Sequence, residues 1–468
     1  MLHVLRVFLA ALPAATIAFA SQYSFGAPQG SAPIGFHDQV TPIGVVSGWA
    51  VDTDNPSQPV NVNFYLDGPS GVGRYVGSAI TGGVRNDVNR VTGHAGNHGF
   101  DFEMPSEALL EHHAIYAYAV KSGNEHLVPG SPKSFSPTSK KNRQPNLGSI
   151  WLNPPIGAND WKGLYRNPET WVQSRKYVSV LQIQDWALAP KFLSDDDVNA
   201  MVSALRIMRL SLSLETGVVK HWGCTAQKVL PVALSYMDRL VKFGGAAKFI
   251  AMDEPLVSRM AAPLGCGLSL DQIAEETAKY IDGVKNAYPD VKIGDIEPWP
   301  SIDKNDLKRW ITSLEKRTKH KLAFLRLDVD CDAAFAKNSD MEDVREIADF
   351  VRSRGISFSI IIPALSSLSD SLAHRYGMAC AAKIHEVTSI DNAIVQSWEK
   401  FPKANLPEGK PHTFTNILNA YALQYPPAVM GHARQASSIP VDRLTTPRLR
   451  PDAIQPRFPG EAGLAAVQ

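Results

Sequence analysis

Between residues 149 and 425 the chain repeats one unit eight times: a short apolar run, then a helical pattern. Candidate strands begin near Ile150, Val178, Arg209, Lys248, Val291, Ala323, Ser357 and Asn392. Strands about 30 to 40 residues apart, with a helix between each pair, must run parallel and need helical crossovers. The helices carry their own start signals. Ser194 precedes Asp195, Asp196 and Asp197, and Ser269 precedes Asp271, each an N-cap followed by first-turn acids. A doubly wound open sheet is the competing architecture. Eight consecutive units without a glycine-rich phosphate fingerprint favour a closed α/β TIM (β/α)8 barrel.

Strand parity then sorts the side chains, because outward faces meet helices and must be apolar. In Arg209–Glu215 the leucines 210, 212 and 214 face out, which sends Arg209, Ser211, Ser213 and Glu215 inward. In Phe324–Asp330 the same rule sends Arg326, Asp328 and Asp330 inward. Gln182, Gln184 and Trp186 point in from the second strand, Ser357 and Ser359 from the seventh, and Gln396 and Trp398 from the eighth. A purely structural barrel fills its centre with Val, Ile and Leu. This interior is polar, and buried arginines need carboxylate partners, so Arg209 and Arg326 are expected to pair with nearby acids.

The acids gather where strands end. KFIAMDEP (248–255) closes with Asp253 and Glu254, KIGDIEPWP (292–300) carries Asp295 and Glu297, and FLRLDVD (324–330) carries Asp328. Two carboxylates across a cleft with aromatic platforms are what glycosidic bond hydrolysis requires, one to protonate the leaving oxygen and one to attack or to activate water. Glu254, Glu297 and Asp328 are the catalytic candidates. Trp186, Trp299 and Trp398 are candidate sugar platforms. Asp185, Arg209, Glu215, Asp253, Asp295 and Arg326 are the remaining substrate-binding candidates. Strand-end acids also cap helices, and a Trp at a barrel mouth is often packing. No H-E-x-x-H, G-x-S-x-G or P-loop is present, and neither cofactor nor metal site is expected.

Arg209 in strand three, Glu254 in MDEP after strand four, and the Trp of QSW after strand eight resemble the (β/α)8 glycoside hydrolases. In the large retaining group of that fold the strand-four Glu is the acid/base, a role the resemblance implies for Glu254. That group places its nucleophile after strand seven, which here reads SFSIIIPA and holds no acid. It also has Asn where this chain has Asp253. The second carboxylate then comes from Glu297 or Asp328. The alternative is a non-catalytic glycan-binding protein on a degenerate barrel.

The rest of the chain reads as export and accessory structure. Residues 1–20 have the form of a signal peptide: Arg6, an apolar stretch too short to span a membrane comfortably, and an A-x-A site at Ala18–Ala20. A secreted or periplasmic protein, with no membrane span in the mature chain, follows. Residues 34–135 alternate like short strands separated by turn residues, as in an Ig-like β-sandwich. GWAVDTDNP, YLDGPSG and GNHGFDFEMP resemble a sandwich module found beside catalytic domains in exported bacterial proteins. Asp52, Asp54 and Asn55 there suit either turn chemistry or calcium. Residues 136–148 read as a linker, and 426–468, rich in Pro and Arg, as a disordered tail. Lys and Arg number 47 against 46 acids, which argues against nucleic acid as a partner; the paired acids and tryptophans make a polysaccharide or oligosaccharide the expected one. Cys224 and Cys266 fall in loops after strands three and four and are a candidate disulfide, although four cysteines allow three connectivities.

Overall fold

The computed structural model describes residues 31–109, 111–136, 147–262, 265–331 and 338–428. The expected signal peptide, most of the linker and most of the tail lie outside the described residues.

Two antiparallel sheets come first. One joins β1 (Ile34–Val40), β2 (Val45–Val51) and β5 (Gly99–Glu103). The other runs β4 (Arg74–Ile80), β3 (Asn61–Leu66), β6 (His113–Lys121) and β7 (Asn124–Leu127), with β8 (Lys133–Phe135) also on β6. The alternating apolar residues of both sheets meet in one core: Val46, Phe100 and Phe102 against Val62, Phe64, Ile115 and Ala117. Phe64 stacks on Phe102 at 4.3 Å. Asp52 and Asp54 both grip the Lys121 ammonium, at 2.6 and 2.5 Å, so an ion pair occupies the carboxylates considered for calcium.

The second part is a closed barrel of eight parallel strands: β9 (Leu147–Asn153), β10 (Val178–Gln184), β11 (Ser211–Thr216), β12 (Ala247–Asp253), β13 (Lys292–Trp299), β14 (Phe324–Val329), β15 (Ser357–Pro363) and β16 (Ile390–Gln396). β16 pairs back onto β9, Ile394 opposite Trp151, and the ring has no free edge. Helices α1 (Asp195–Met208), α2 (Ala226–Lys242), α3 (Leu270–Ala287), α4 (Lys304–Glu315), α5 (Asn338–Ser353), α6 (Asp370–Val387) and α7 (Phe414–Gln424) alternate with the strands. Ser194 and Ser269 cap α1 and α3 in reciprocal capping boxes with Asp197 and Gln272. The first strand begins at Leu147, inside the expected linker, because Leu147 joins the apolar layer under the helices. The chain just beyond residue 425 is ordered: the Ala428 N–H donates to the Leu147 carbonyl at 2.7 Å, extending the first strand's pairing.

Parity holds round most of the ring. Leu212, Leu214, Leu325, Leu327, Phe358, Ile360 and Ile362 pack outward among the helices. Trp151, Val180, Ala251, Ile296, Phe324, Ile361 and Ile394 fill the centre. Arg209 departs from its expected place. It caps the C-terminus of α1 in the left-handed conformation, φ 55°, and is exposed. The strand starts two residues later, so the alternation in RLSLSLE begins on the helix cap and not in the sheet.

Candidate active site

The C-terminal ends of the strands form one narrow cleft, lined by Glu215, Asp253, Glu254, Ile296, Asp328, Ile361, Gln396 and Trp398. Strand ends at this face are where barrels of this type carry chemistry. The space enclosed between the side chains is about 10 Å³, room for a single water. A roomier hollow of about 410 Å³ lies by the opposite strand ends, among Lys285, Lys292, Lys319 and Lys321, and has no carboxylate in its lining.

Glu254 reaches the cleft by a backbone turn. Alternation along β12 points Phe249, Ala251 and Asp253 inward and would send residue 254 outward. Glu254 instead adopts φ 50°, ψ 53°, and its N–H donates to the Ile296 carbonyl at 2.9 Å. For a residue with a Cβ this conformation costs roughly 1–2 kcal/mol, a strain that surrounding structure must hold in place.

Behind Asp253 and Glu254 lies Lys220, buried, its ammonium 3.3 Å from Asp253 Oδ2 and 3.2 Å from Glu254 Oε2. Burial alone would lower the Lys220 pKa, but the two carboxylates outweigh it and hold the ammonium above the ordinary lysine range. The loop carrying Lys220 is pinned by the Cys224–Cys266 disulfide, S–S 2.06 Å, which ties the loop after β11 to the loop after β12. A second disulfide joins Cys331 to Cys380.

Glu215 forms the floor. Its Oε2 accepts from Asn153 Nδ2 at 2.8 Å, Gln182 Nε2 at 2.7 Å and Gln396 Nε2 at 2.9 Å. Its Oε1 is buried without a hydrogen-bond partner. Burial, with help from the Asp253 charge, pushes its pKa up to about 8. One layer deeper, the fully buried Arg326 guanidinium lies over the Trp151 and Phe324 rings, 4.6 Å from each centroid. It donates to Ser359 Oγ, Gln182 Oε1 and Asn392 Oδ1. Arg326 therefore plugs the barrel beneath the cleft through neutral partners, where contact with substrate and pairing with a carboxylate were expected. Burial draws its pKa down to about 9, with the Glu215 charge opposing.

Three expected site residues belong to the other face of β13. Ile296 points inward, so Asp295, Glu297 and Trp299 point outward into the helix layer. Asp295 accepts from Trp310 Nε1 at 2.7 Å, and burial pushes it up to about 8. Glu297 Oε1 accepts from the Leu256 N–H at 3.0 Å. Burial, and then the Asp295 charge, raise Glu297 well above the carboxylate range. It braces the turn that carries Glu254 and does not face it across a cleft. Trp299, almost fully buried, is core and not a platform. Asp185 sits beside Thr216, outside the cleft lining, with its pKa pushed up to about 6 by loss of water. Trp186 is on the turn after β10, exposed, edge-on to Phe192 at 4.9 Å.

Sequence reasoning missed Lys220 and Asn153. A single lysine in VVKHW carries no motif. Asn153 ends the first strand, and extending parity to that strand would have found it. Among the described residues no three His, Cys, Asp or Glu side chains are grouped as a metal site requires.

No protein-family model matches this sequence, and a search of curated proteins gives no match. Solved structures similar to it include a fungal β-1,4-galactanase, 12% identical, covering 58% of this chain and 99% of that one at a TM-score of 0.41. A Cellulomonas fimi endo-β-1,4-mannanase is 9% identical, covering 61% and 73%, at 0.42. An aldolase is 9% identical, covering 54% and 91%, at 0.32.

Proposed function

We propose that this protein is an exported carbohydrate-active hydrolase that cleaves glycosidic bonds at the cleft, with the N-terminal sheets acting as an Ig-like accessory module. One observation carries the reading: carboxylates from three different strand ends, Glu215, Asp253 with Glu254, and Asp328, meet at one mouth beside Trp398. Glu254 is the general acid/base, half-buried and held in a strained turn aimed at the cleft. Asp328, inward-facing from β14, is its partner now that Glu297 lies behind the sheet. Trp398 is half-buried against the interior apolar cluster and lines the cleft, and in this reading a sugar ring stacks on it. The two disulfides suit an oxidising compartment.

A second reading is favoured by strand seven, which ends in Pro363 with no acid. A barrel that holds a glycan without cleaving it would need no further carboxylate. Release of reducing ends from a panel of glycans decides between them. The hydrolase reading predicts turnover of at least one glycan and a loss of at least 100-fold in Glu254→Gln. A panel with no turnover leaves the binder, and turnover that Glu254→Gln does not change rules out both the binder and Glu254 as the acid.

A further inference from the structure

The floor of the cleft has a surplus of acceptors. Glu215 Oε1, Asn153 Oδ1, Gln184 Oε1 and Gln396 Oε1 are all buried with no donor. Asn153 is opposite Gln396 and Gln184 opposite Glu215 in the strand register, and of the four, Glu215 and Gln396 line the cleft. Glu215 is 2% exposed and lines the cleft. Buried acceptors left unmet each cost about 1–3 kcal/mol, so the two on the cleft lining, Glu215 Oε1 and Gln396 Oε1, mark a place that a donor-rich group completes.

The charge points the same way. Among the described residues the lining carries four carboxyl side chains, Glu215, Asp253, Glu254 and Asp328, and no cation. Lys220 meets Asp253 and Glu254 from behind, and Arg326 lies below, spent on Ser359, Gln182 and Asn392. The enclosed space fits one water-sized group. An alkylammonium has three donors, no acceptor, a positive charge and that size. A hydroxyl brings one donor, and an acetamide is neutral and too large.

We infer that the glycan this cleft takes carries free amines, with an amino-sugar unit lying across the mouth against Trp398 and its ammonium seated on Glu215 Oε1. The inference rests on the carbohydrate reading above and narrows its substrate class. The high proton affinity of Glu215 agrees with it, since a cation at Oε1 replaces the proton that burial otherwise retains.

The test is calorimetric binding of the full chain to hexamers of glucosamine, galactosamine, N-acetylglucosamine and glucose. At least one amine hexamer should bind tenfold or more tighter than both uncharged ones, and Glu215→Gln should erase that preference. Equal affinity for an uncharged hexamer, or no binding of either amine hexamer, overturns the inference. So does a preference that survives Glu215→Gln. If that variant fails to fold, the wild-type selectivity alone still decides. Glu254-dependent turnover of a neutral glycan, with no amine preference, would leave the hydrolase reading standing while the inference falls.

Discussion

Replacing Lys220 by Met takes away an ammonium that Asp253 and Glu254 share. At 3.2–3.3 Å and an effective dielectric of about 20, each contact has a gross Coulomb energy of about 5 kcal/mol. Withdrawing the lysine from water offsets much of that in the intact protein. The variant keeps the buried carboxylates and loses the compensation, which costs about 3–5 kcal/mol. The loss depends on pH in a defined direction. Without Lys220 the two carboxylate charges are left without the cation between them, and acid, which removes those charges, removes the penalty. Urea unfolding followed by circular dichroism, at pH 4.5 and 7.5, measures it. The stability gap between wild type and Lys220→Met should be about 3 kcal/mol or more at pH 7.5 and clearly smaller at pH 4.5, with similar m-values. An equal gap at both pH values, or none at 7.5, refutes the shared-cation arrangement.

Other parts of the site are as accessible. Glu297→Ala removes the acceptor for the Leu256 N–H, so it should cost about 1–3 kcal/mol in the same assay and lower turnover without contacting substrate. Cys224→Ser opens a loop with a sequence separation of 42, for which chain entropy gives about 4 kcal/mol. That loss should show as a lower melting temperature, and non-reducing gels should lose the corresponding bridge. Glu215 and Asp295 are both raised to about 8 from 4.5 and 3.8. Their contribution is full below those ordinary values and lost as pH rises through 8, so Asp295→Asn should flatten the stability profile between about pH 4 and 8.

The barrel was legible because periodicity and parity are set by the covalent geometry of the strand. Leucines alternating in SLSLE and FLRLD placed Glu215, Arg326 and Asp328 on the inner face, and the structure agrees. The same rule went unused on β13, where Ile296 inward implies Glu297 outward. That strand has acids and a Trp on its outer face, where apolar residues are the rule, and the pattern looked like a mouth. They are tolerated there because Trp310 and the Leu256 N–H supply donors, partners distant in sequence. Glu254 is the opposite case. Parity alone would have excluded it, and a left-handed turn before Pro255 brings it back. Lys220 was invisible because its significance comes only from its distance to two carboxylates 33 and 34 residues away in sequence. Arg209 shows how a leucine run can cross a helix cap into a strand without changing its look.

The most direct test is a crystal structure of Glu254→Gln with a bound oligosaccharide drawn from the best-turned-over glycan. A ring stacked on Trp398, with the scissile oxygen within hydrogen-bond distance of residue 254 and Asp328 on the opposite side, is the predicted result. A ligand bound elsewhere on the barrel or on the N-terminal sheets, with the cleft empty, would contradict it.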